Sequence, residues 1–196
     1  MKRTTLVLTA MASLLLGPMA SAQEEDGGGT FRPPEEGNWY HPIEMKKWVL
    51  SGGDEETLGE IMQRIQNSDG ARRNPEQPDT VIEYGPGNWI YEFATAADAV
   101  MEEAASADED TRYSLYKEAL AYYHLASSPH LNTPEHLGAL RKGEDAYAKA
   151  AATLPGRFQR VEIAHGGASF EAFVHVPPGD GPHPVFVHSN GSDLNK

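Results

Sequence analysis

Cysteine is absent from the 196 residues of the chain. The protein therefore cannot contain a disulfide, a thiolate metal ligand, a cysteine nucleophile or a lipid attached to an N-terminal cysteine. Its folded part must be stabilised by a hydrophobic core. A chain of this length can bury such a core in one or two small domains.

Basic residues are also scarce. Sixteen Lys and Arg stand against 29 Asp and Glu, which gives a net charge of −13. An acidic surface of this kind repels phosphate backbones and anionic lipid headgroups. We therefore expect neither nucleic acid nor a membrane surface as a partner, whereas the charge sets no limit on a small uncharged substrate.

The only long apolar run lies at the start of the chain. Lys2 and Arg3 precede the apolar residues 6–16, and the small residues ASA that end at Ala22 form a signal-peptidase site. The run is shorter than the roughly 20 residues that a membrane-spanning helix needs. The pattern predicts a secretory signal over residues 1–22, not a stable membrane anchor. Cleavage after Ala22 would export the protein to the periplasm or the medium.

The next part of the chain predicts a disordered lead-in and then a helical domain. Residues 23–38 are acidic and rich in glycine and proline, which is typical of disorder. Residues 39–155 carry the periodicity of four helices with short connections. In the first, Asp54 is the expected N-cap and Gly70 the expected stop. Its apolar residues recur at i, i+3, i+4 and i+7: Leu58, Ile61, Met62 and Ile65.

The same criteria place three further helices. We expect the second to follow Gly87, the third to start at a capping box from Ser106 to Glu109, and the fourth to start at Thr133 and reach Leu154. The second carries Trp89, Phe93, Ala97 and Val100 along one side, and the third has Tyr113, Tyr116, Leu120 and Tyr123 on its buried side. The fourth is continued by Leu137, Leu140, Tyr147 and Ala151.

After residue 156 the apolar residues alternate. FQRVEIAH and SFEAFVHV flank Gly166-Gly167, which predicts a hairpin with a two-residue turn. Each strand has an apolar face, formed by Val161 and Ile163 in the first and by Phe170, Ala172, Val174 and Val176 in the second. The run PVFVH does not alternate, and predicts a strand buried on both faces of a sheet.

A buried strand needs parallel neighbours and covering helices, and no helix follows Lys196. Two interpretations remain. Either the helical domain covers this small sheet, or the chain is the front part of a longer α/β domain. We favour the second, because the first leaves an open sheet edge through which the chain could self-associate.

The order of these elements resembles a known family. The segments RVEIAHGGASFEAFVHVP and PVFVHSNGSDLNK, preceded by the helices YSLYKEALAYYHLASSPH and GEDAYAKAAATL, are similar to the N-terminal half of the FrsA-like esterases and the 2,6-dihydroxypseudooxynicotine hydrolase group of α/β-hydrolases. The resemblance implies an α/β protein in which a helical, lid-like domain (39–155) precedes the first strands of an incomplete α/β-hydrolase sheet (156–196). It also implies a small ester or ketone substrate and no cofactor.

The resemblance extends to the loop after PVFVH. The family has a glycine-glycine-x-aspartate motif there, and this chain has Asn190-Gly191-Ser192-Asp193. In α/β-hydrolases this loop contributes one backbone N–H to the oxyanion hole. The resemblance implies that Gly191 or Ser192 supplies that donor. An ordinary turn at the end of a strand has the same composition, so that alternative stays open.

A nucleophile is missing from the sequence. Acyl transfer in this fold needs Gly-x-Ser-x-Gly, followed by an acid and a histidine, and the chain contains no such motif. The closest segment, residues 167–171, lacks the final glycine. The resemblance implies that all three catalytic residues lie beyond Lys196. We therefore assign no catalytic residue and expect the chain to be inactive alone, as a prematurely terminated gene product would be.

Three other functions fit the sequence less well: metal binding, a helical scaffold and a separate lid. His124, His130 and His136 recur every six residues, a spacing that does not return to one helix face, and no H-E-x-x-H is present, so we expect no metal. The third and fourth helices resemble a tetratricopeptide pair, which leaves open a scaffold or binding protein, although a solenoid needs about three repeats. A non-catalytic lid that pairs with a separately made catalytic half is a further alternative.

Overall fold

A computed structural model describes residues 37–128 and 133–188. Helices precede strands, as predicted. The elements are α1 (Met45–Leu50), α2 (Glu55–Gln66), α3 (Trp89–Ser106), α4 (Glu109–Ala126), α5 (Pro134–Ala152), β1 (Arg157–His165) and β2 (Ala168–Val176). Within the described ranges, none of the helices combines the length and the apolar character needed to cross a bilayer.

The sequence pattern does not predict α1, because six residues are too few to show a helical period. Its buried residue is Trp48. The Trp48 ring lies edge-on to the rings of Trp89 and Phe93, with centroids 6.1 Å apart in both cases. This helix therefore closes one side of the hydrophobic core.

The prediction for α2 is confirmed in its cap and its buried face. Asp54 accepts a hydrogen bond from the backbone N–H of Thr57 (2.8 Å), and the four predicted apolar residues are fully buried. The helix ends at Gln66, four residues before the predicted Gly70. It is tied to α4 by Tyr122, whose buried hydroxyl accepts from the Asp54 N–H (3.0 Å) and donates to Glu118 (2.9 Å). Burial raises the pKa of Tyr122, so this hydroxyl stays protonated.

Trp89 is the first residue of α3 and connects four parts of the helical domain. Its indole N–H donates to the carbonyl of Leu125 near the end of α4 (2.8 Å). One face of its ring stacks on His41, with centroids 3.8 Å apart and planes 7° from parallel. The predicted burial of Trp89, Phe93 and Ala97 is confirmed.

The predicted start of α4 is wrong. α3 continues through Ser106, and Asp108 is the N-cap of α4, accepting from the backbone N–H of Thr111 (2.9 Å). Tyr113, predicted to be buried, is exposed and carries Lys117 over its ring. The helix lies between α3 and α5 and so buries a wide stripe. That stripe includes Leu115, Tyr116, Ala119, Tyr122, Tyr123 and Leu125.

The buried face of α5 is formed mainly by small residues. Thr133 caps the helix as predicted and Ala151 is buried, but Leu137 is exposed and the helix ends at Ala152. The buried residues are small apart from one: His136, Ala139, Gly143, Ala146, Ala150 and Ala151. A Cβ on Gly143 would lie 3.2 Å from that of Tyr123. Small residues allow α4 and α5 to approach closely, so the larger leucine is excluded from the interface.

The predicted hairpin is confirmed. β1 and β2 pair antiparallel from Arg157↔Val176 to His165↔Ala168. Gly166 and Gly167 form the two-residue turn with φ angles of +59° and +81°, the positive values that a type I′ turn requires.

The predicted strand at PVFVH is not formed. Residues 184–188 have no strand structure, and Val185, Phe186 and Val187 are 84–88% exposed. A central strand needs neighbours on both sides. The described part of the chain contains only the two strands of the hairpin, and these pair with each other.

Asp79 holds the segment before α1 on the bundle. Its fully buried carboxylate accepts the backbone N–H groups of Tyr40 (3.0 Å) and His41 (2.8 Å) and lies 2.6 Å from Nδ1 of His41. Burial raises the pKa of Asp79, but these hydrogen bonds outweigh burial, and the net pKa lies below the ordinary 3.8. The carboxylate is therefore ionised at neutral pH.

The structure predicts losses of stability of different size for two substitutions on α5. Ala146→Leu should reduce the free energy of unfolding by about 1–3 kcal/mol, because no space remains against α4. Leu137→Ala should cost less than about 1 kcal/mol, because Leu137 is at the surface. Urea denaturation of both variants measures the difference. A larger loss for Leu137→Ala would show that the face assigned by the leucines is the buried one.

Asp79→Asn should lower the free energy of unfolding at pH 7 by about 1–3 kcal/mol, the range for hydrogen bonds to a charged group. Because the folded pKa is depressed, this stabilisation is present above the ordinary pKa of 3.8 and is lost as the pH falls through the folded value. The gap between wild type and variant should thus close in acid below 3.8. Exposed Asp69→Asn is the matched control, and an equal effect there would contradict the assignment.

Candidate functional site

The predicted oxyanion-hole residues, Gly191 and Ser192, lie outside the described residues. The described residue nearest to them in the sequence is His188. The described residues nearest in sequence to this loop are the hairpin and the exposed run 184–188. The described part of the candidate site is therefore the junction between the helices and the hairpin.

Tyr147 of α5 is the centre of this junction. Its ring centroid lies 4.9 Å from that of Phe173 and 6.1 Å from that of Phe158. Its hydroxyl is 2.7 Å from Nε2 of His175. Burial raises the pKa of Tyr147, so the hydroxyl remains protonated and is able to donate to the imidazole. Tyr147, which the sequence places on the fourth helix, faces the hairpin.

Gly156 makes the junction tight. It has a φ of +109°, and a Cβ at this position would lie 2.3 Å from the carbonyl oxygen of Val176. Only glycine fits there without displacing the backbone. Arg160 adds an ion pair to Asp145 of α5 (3.2 Å). Beside these contacts is a cavity of about 260 Å³, whose wall includes Leu154, Phe158, His175 and Pro177.

The two faces of the hairpin have different environments. Phe158, Phe173 and His175 share the face that packs on α5. The opposite face carries the apolar residues that the sequence identifies, and it is not covered by the described helices. On it, Ile163 is 41% and Val174 37% exposed. An apolar sheet face that stays partly exposed is typical of a surface that another layer of protein covers.

A second cavity, of about 180 Å³, lies at the N-terminus of α3. Its wall includes the His41–Asp79 pair and Trp89. Nε2 of His41 is buried and has no hydrogen-bond partner among the described residues. Sequence reasoning missed this pair, because 38 residues separate its members and no local spacing joins them.

Of the three histidines spaced six residues apart, the structure describes His124 and His136. His136 places Nε2 2.7 Å from the carbonyl oxygen of Ser127, which caps the end of α4. His124 is on the exposed side of α4, and His130 lies outside the described residues. The described ranges contain no group of three or more His, Asp or Glu side chains that could hold a metal ion. Between described residues, no hydrogen bond joins a serine hydroxyl to a histidine ring.

Comparisons with known proteins identify the family. The family model described as "Esterase FrsA-like" matches residues 7–195, a range that begins within the predicted signal. Esterase FrsA of Escherichia coli O1:K1 / APEC is 38% identical over 162 residues, covering 80% of this chain and 38% of the relative. Esterase FrsA of Shigella boydii serotype 18 (strain CDC 3083-94 / BS512) gives the same values.

Among solved structures, one titled "AbyA5 Wildtype" matches 67% of this chain and 31% of its own, with 21% identity and a TM-score of 0.42. The chain spans 38% of the length of the FrsA relatives. The family match covers both the helical part and the strands, as the resemblance in the sequence implies. The protein is therefore related to hydrolases of the esterase type, and its chain belongs to the FrsA-like esterase family.

Proposed function

We propose that this chain forms the lid and the first strands of an exported serine hydrolase that cleaves a small ester or ketone without a cofactor. One observation carries the proposal: the hairpin packs on α5 by one face and leaves its second apolar face exposed. In an α/β-hydrolase domain that continued from this hairpin, further strands would pair at the sheet edge, the run 184–188 among them, and the helices that follow those strands would cover that face. Membership of an esterase family supports the same assignment.

The proposed chemistry divides between this chain and the rest of such a sheet. Gly191 or Ser192 would donate a backbone N–H to the oxyanion of the tetrahedral intermediate, where a preorganised donor stabilises the developing charge. The nucleophile, the acid and the histidine would come from strands that these 196 residues do not contain, since they lack Gly-x-Ser-x-Gly. The chain by itself is thus proposed to be inactive.

The proposed role of the helices is to cover the reacting groups. A closed lid excludes water and so strengthens electrostatic interactions in the site. α5 is suited to this role because Tyr147 and Gly156 fix it against the first two strands. Among the described residues, no observation favours the tetratricopeptide scaffold over this assignment. The exposed apolar face is also the surface through which we propose that the chain self-associates when nothing covers it.

A chimera tests the assignment. Joining this chain to the part of E. coli Esterase FrsA that lies beyond the matched region should give a protein that hydrolyses p-nitrophenyl acetate. The remainder of FrsA alone and this chain alone should not exceed the rate without protein. In the chimera, Val174→Glu should lower kcat/KM at least about tenfold, because a charge would be buried at the covered face.

Glu162→Gln, on the hairpin face towards α5, is the matched control and should retain the activity of the chimera. Activity of the unmodified chain alone, lost on Ser192→Ala, would contradict the proposal by revealing a nucleophile within these residues. Activity on mixing the two separate halves would instead favour a lid that pairs in trans with its catalytic half.

Export has its own test. We expect the protein expressed in a Gram-negative host to be found in the periplasm or the medium, with Gln23 as the first residue after cleavage. N-terminal sequencing of the purified protein and cell fractionation measure this. Ala22→Arg should block cleavage, because signal peptidase requires a small residue before the cut. A cytoplasmic protein that retains residues 1–22 would contradict the proposed export.

A further inference from the structure

We propose that Leu137 and Leu140 of α5 form the apolar wall that receives the acyl group of the substrate, an ester of a short, uncharged fatty acid. This inference rests on the proposed hydrolase function and adds to it the residues that select the acyl chain. One juxtaposition carries it. The two leucines continue the stripe of α5 that packs on the hairpin, but they lie on the half of that stripe where Leu137 is still 36% exposed and Leu140 is only half-buried.

The large apolar residues of α5 lie on a different side of the helix from its small ones. Leu137, Leu140 and Tyr147 lie within an arc of about 80° at 3.6 residues per turn. Tyr147 packs on Phe158 and Phe173 of the hairpin, so this stripe faces the sheet. The side towards α4 is formed by the small residues of α5. The leucines are therefore placed to contact something other than the helical core.

The direction of β1 relates the leucines to the two ends of the hairpin. Phe158 lies against Tyr147, and two residues later Arg160 pairs with Asp145, two residues earlier on α5. β1 thus runs from the C-terminal end of α5 back towards its N-terminus. The nearer leucine precedes Asp145 by about 8 Å along the helix axis, a distance that a strand covers in two to three residues, roughly. The leucines therefore lie towards the hairpin end that carries the glycine turn.

The run 184–188 indicates which end of the proposed sheet carries the chemistry. Only residues 177–183 join it to β2. A crossover between parallel strands needs about a dozen residues or more, because the chain must return along the sheet. In the proposed sheet the run is thus antiparallel to β2 and parallel to β1. Its C-terminal end, with the proposed oxyanion donor Gly191 or Ser192, then lies at the end of the turn Gly166-Gly167, towards which the leucines also lie.

The chemistry of the wall defines the acyl group. Leucine side chains have no polar atoms, and contact with them removes alkyl surface of the ligand from water, which is favourable. A charged acyl group would lose its hydration there without gaining a partner. Glu144 follows on the same stripe and bounds the apolar wall on the side of Tyr147. An unbranched, uncharged chain such as butyryl fits this surface, whereas an acetyl group is too short to use it.

The test uses the chimera with E. coli Esterase FrsA and two substrates, p-nitrophenyl butyrate and p-nitrophenyl acetate. The double substitution Leu137→Ala and Leu140→Ala should lower kcat/KM for the butyrate about tenfold and for the acetate less than about twofold, because only the longer chain contacts the wall. Leu137→Ala alone should lower the butyrate value about threefold. Leu50→Ala removes an 87% exposed leucine of α1 and is the matched control, which should change neither value.

The outcomes separate this inference from the function on which it rests. An active chimera in which the leucine substitutions leave the butyrate value unchanged, or lower both values equally, would overturn the assignment of the wall and leave the hydrolase function intact. A chimera that cleaves neither ester would refute the proposed function and this inference with it. Circular dichroism should show the same helical content in all variants, because Leu137 lies at the surface.

Discussion

The helical domain depends on the burial of a single indole. Trp89 satisfies a carbonyl at the end of α4, stacks on His41 and lies edge-on to Trp48. It thereby joins the segment before α1, α1, α3 and α4 through one side chain. A large aromatic ring with one polar atom suits this position, because its apolar area fills the core while its N–H removes an unpaired acceptor from it. The loop before α3 is fixed by the same arrangement through Asp79.

The hairpin is less enclosed than the helices. The helices enclose their own core, whereas the hairpin packs one face on α5 and leaves Ile163 and Val174 of the other face partly exposed. A two-stranded ribbon is marginally stable without further support. Tyr147 of α5 provides this support on one face of the hairpin. The hairpin therefore depends on the helical part of the chain for its position.

Local features of the fold could be predicted from the sequence, and features set by distant contacts could not. Asp54, Thr133 and the turn at Gly166-Gly167 act through neighbours within a few residues, so their patterns were sufficient. The buried face of α5 does not follow from its leucines, because Gly143 brings α4 close and small residues fill the interface. The His41–Asp79 pair has no local signature. The oxyanion loop was found only through the family resemblance, and it remains a prediction.

The connection between α5 and β1 has a mechanical consequence. Only residues 153–156 separate the helix from the strand, and Gly156 lies against the backbone of Val176. This leaves no slack for a hinge, so a rotation of α5 would carry the first strand with it. α5 is also held on α4, where Gly143 lies against Tyr123 and Nε2 of His136 is 2.7 Å from the carbonyl oxygen of Ser127. A displacement of α5 would therefore be transmitted to α4 as well as to β1.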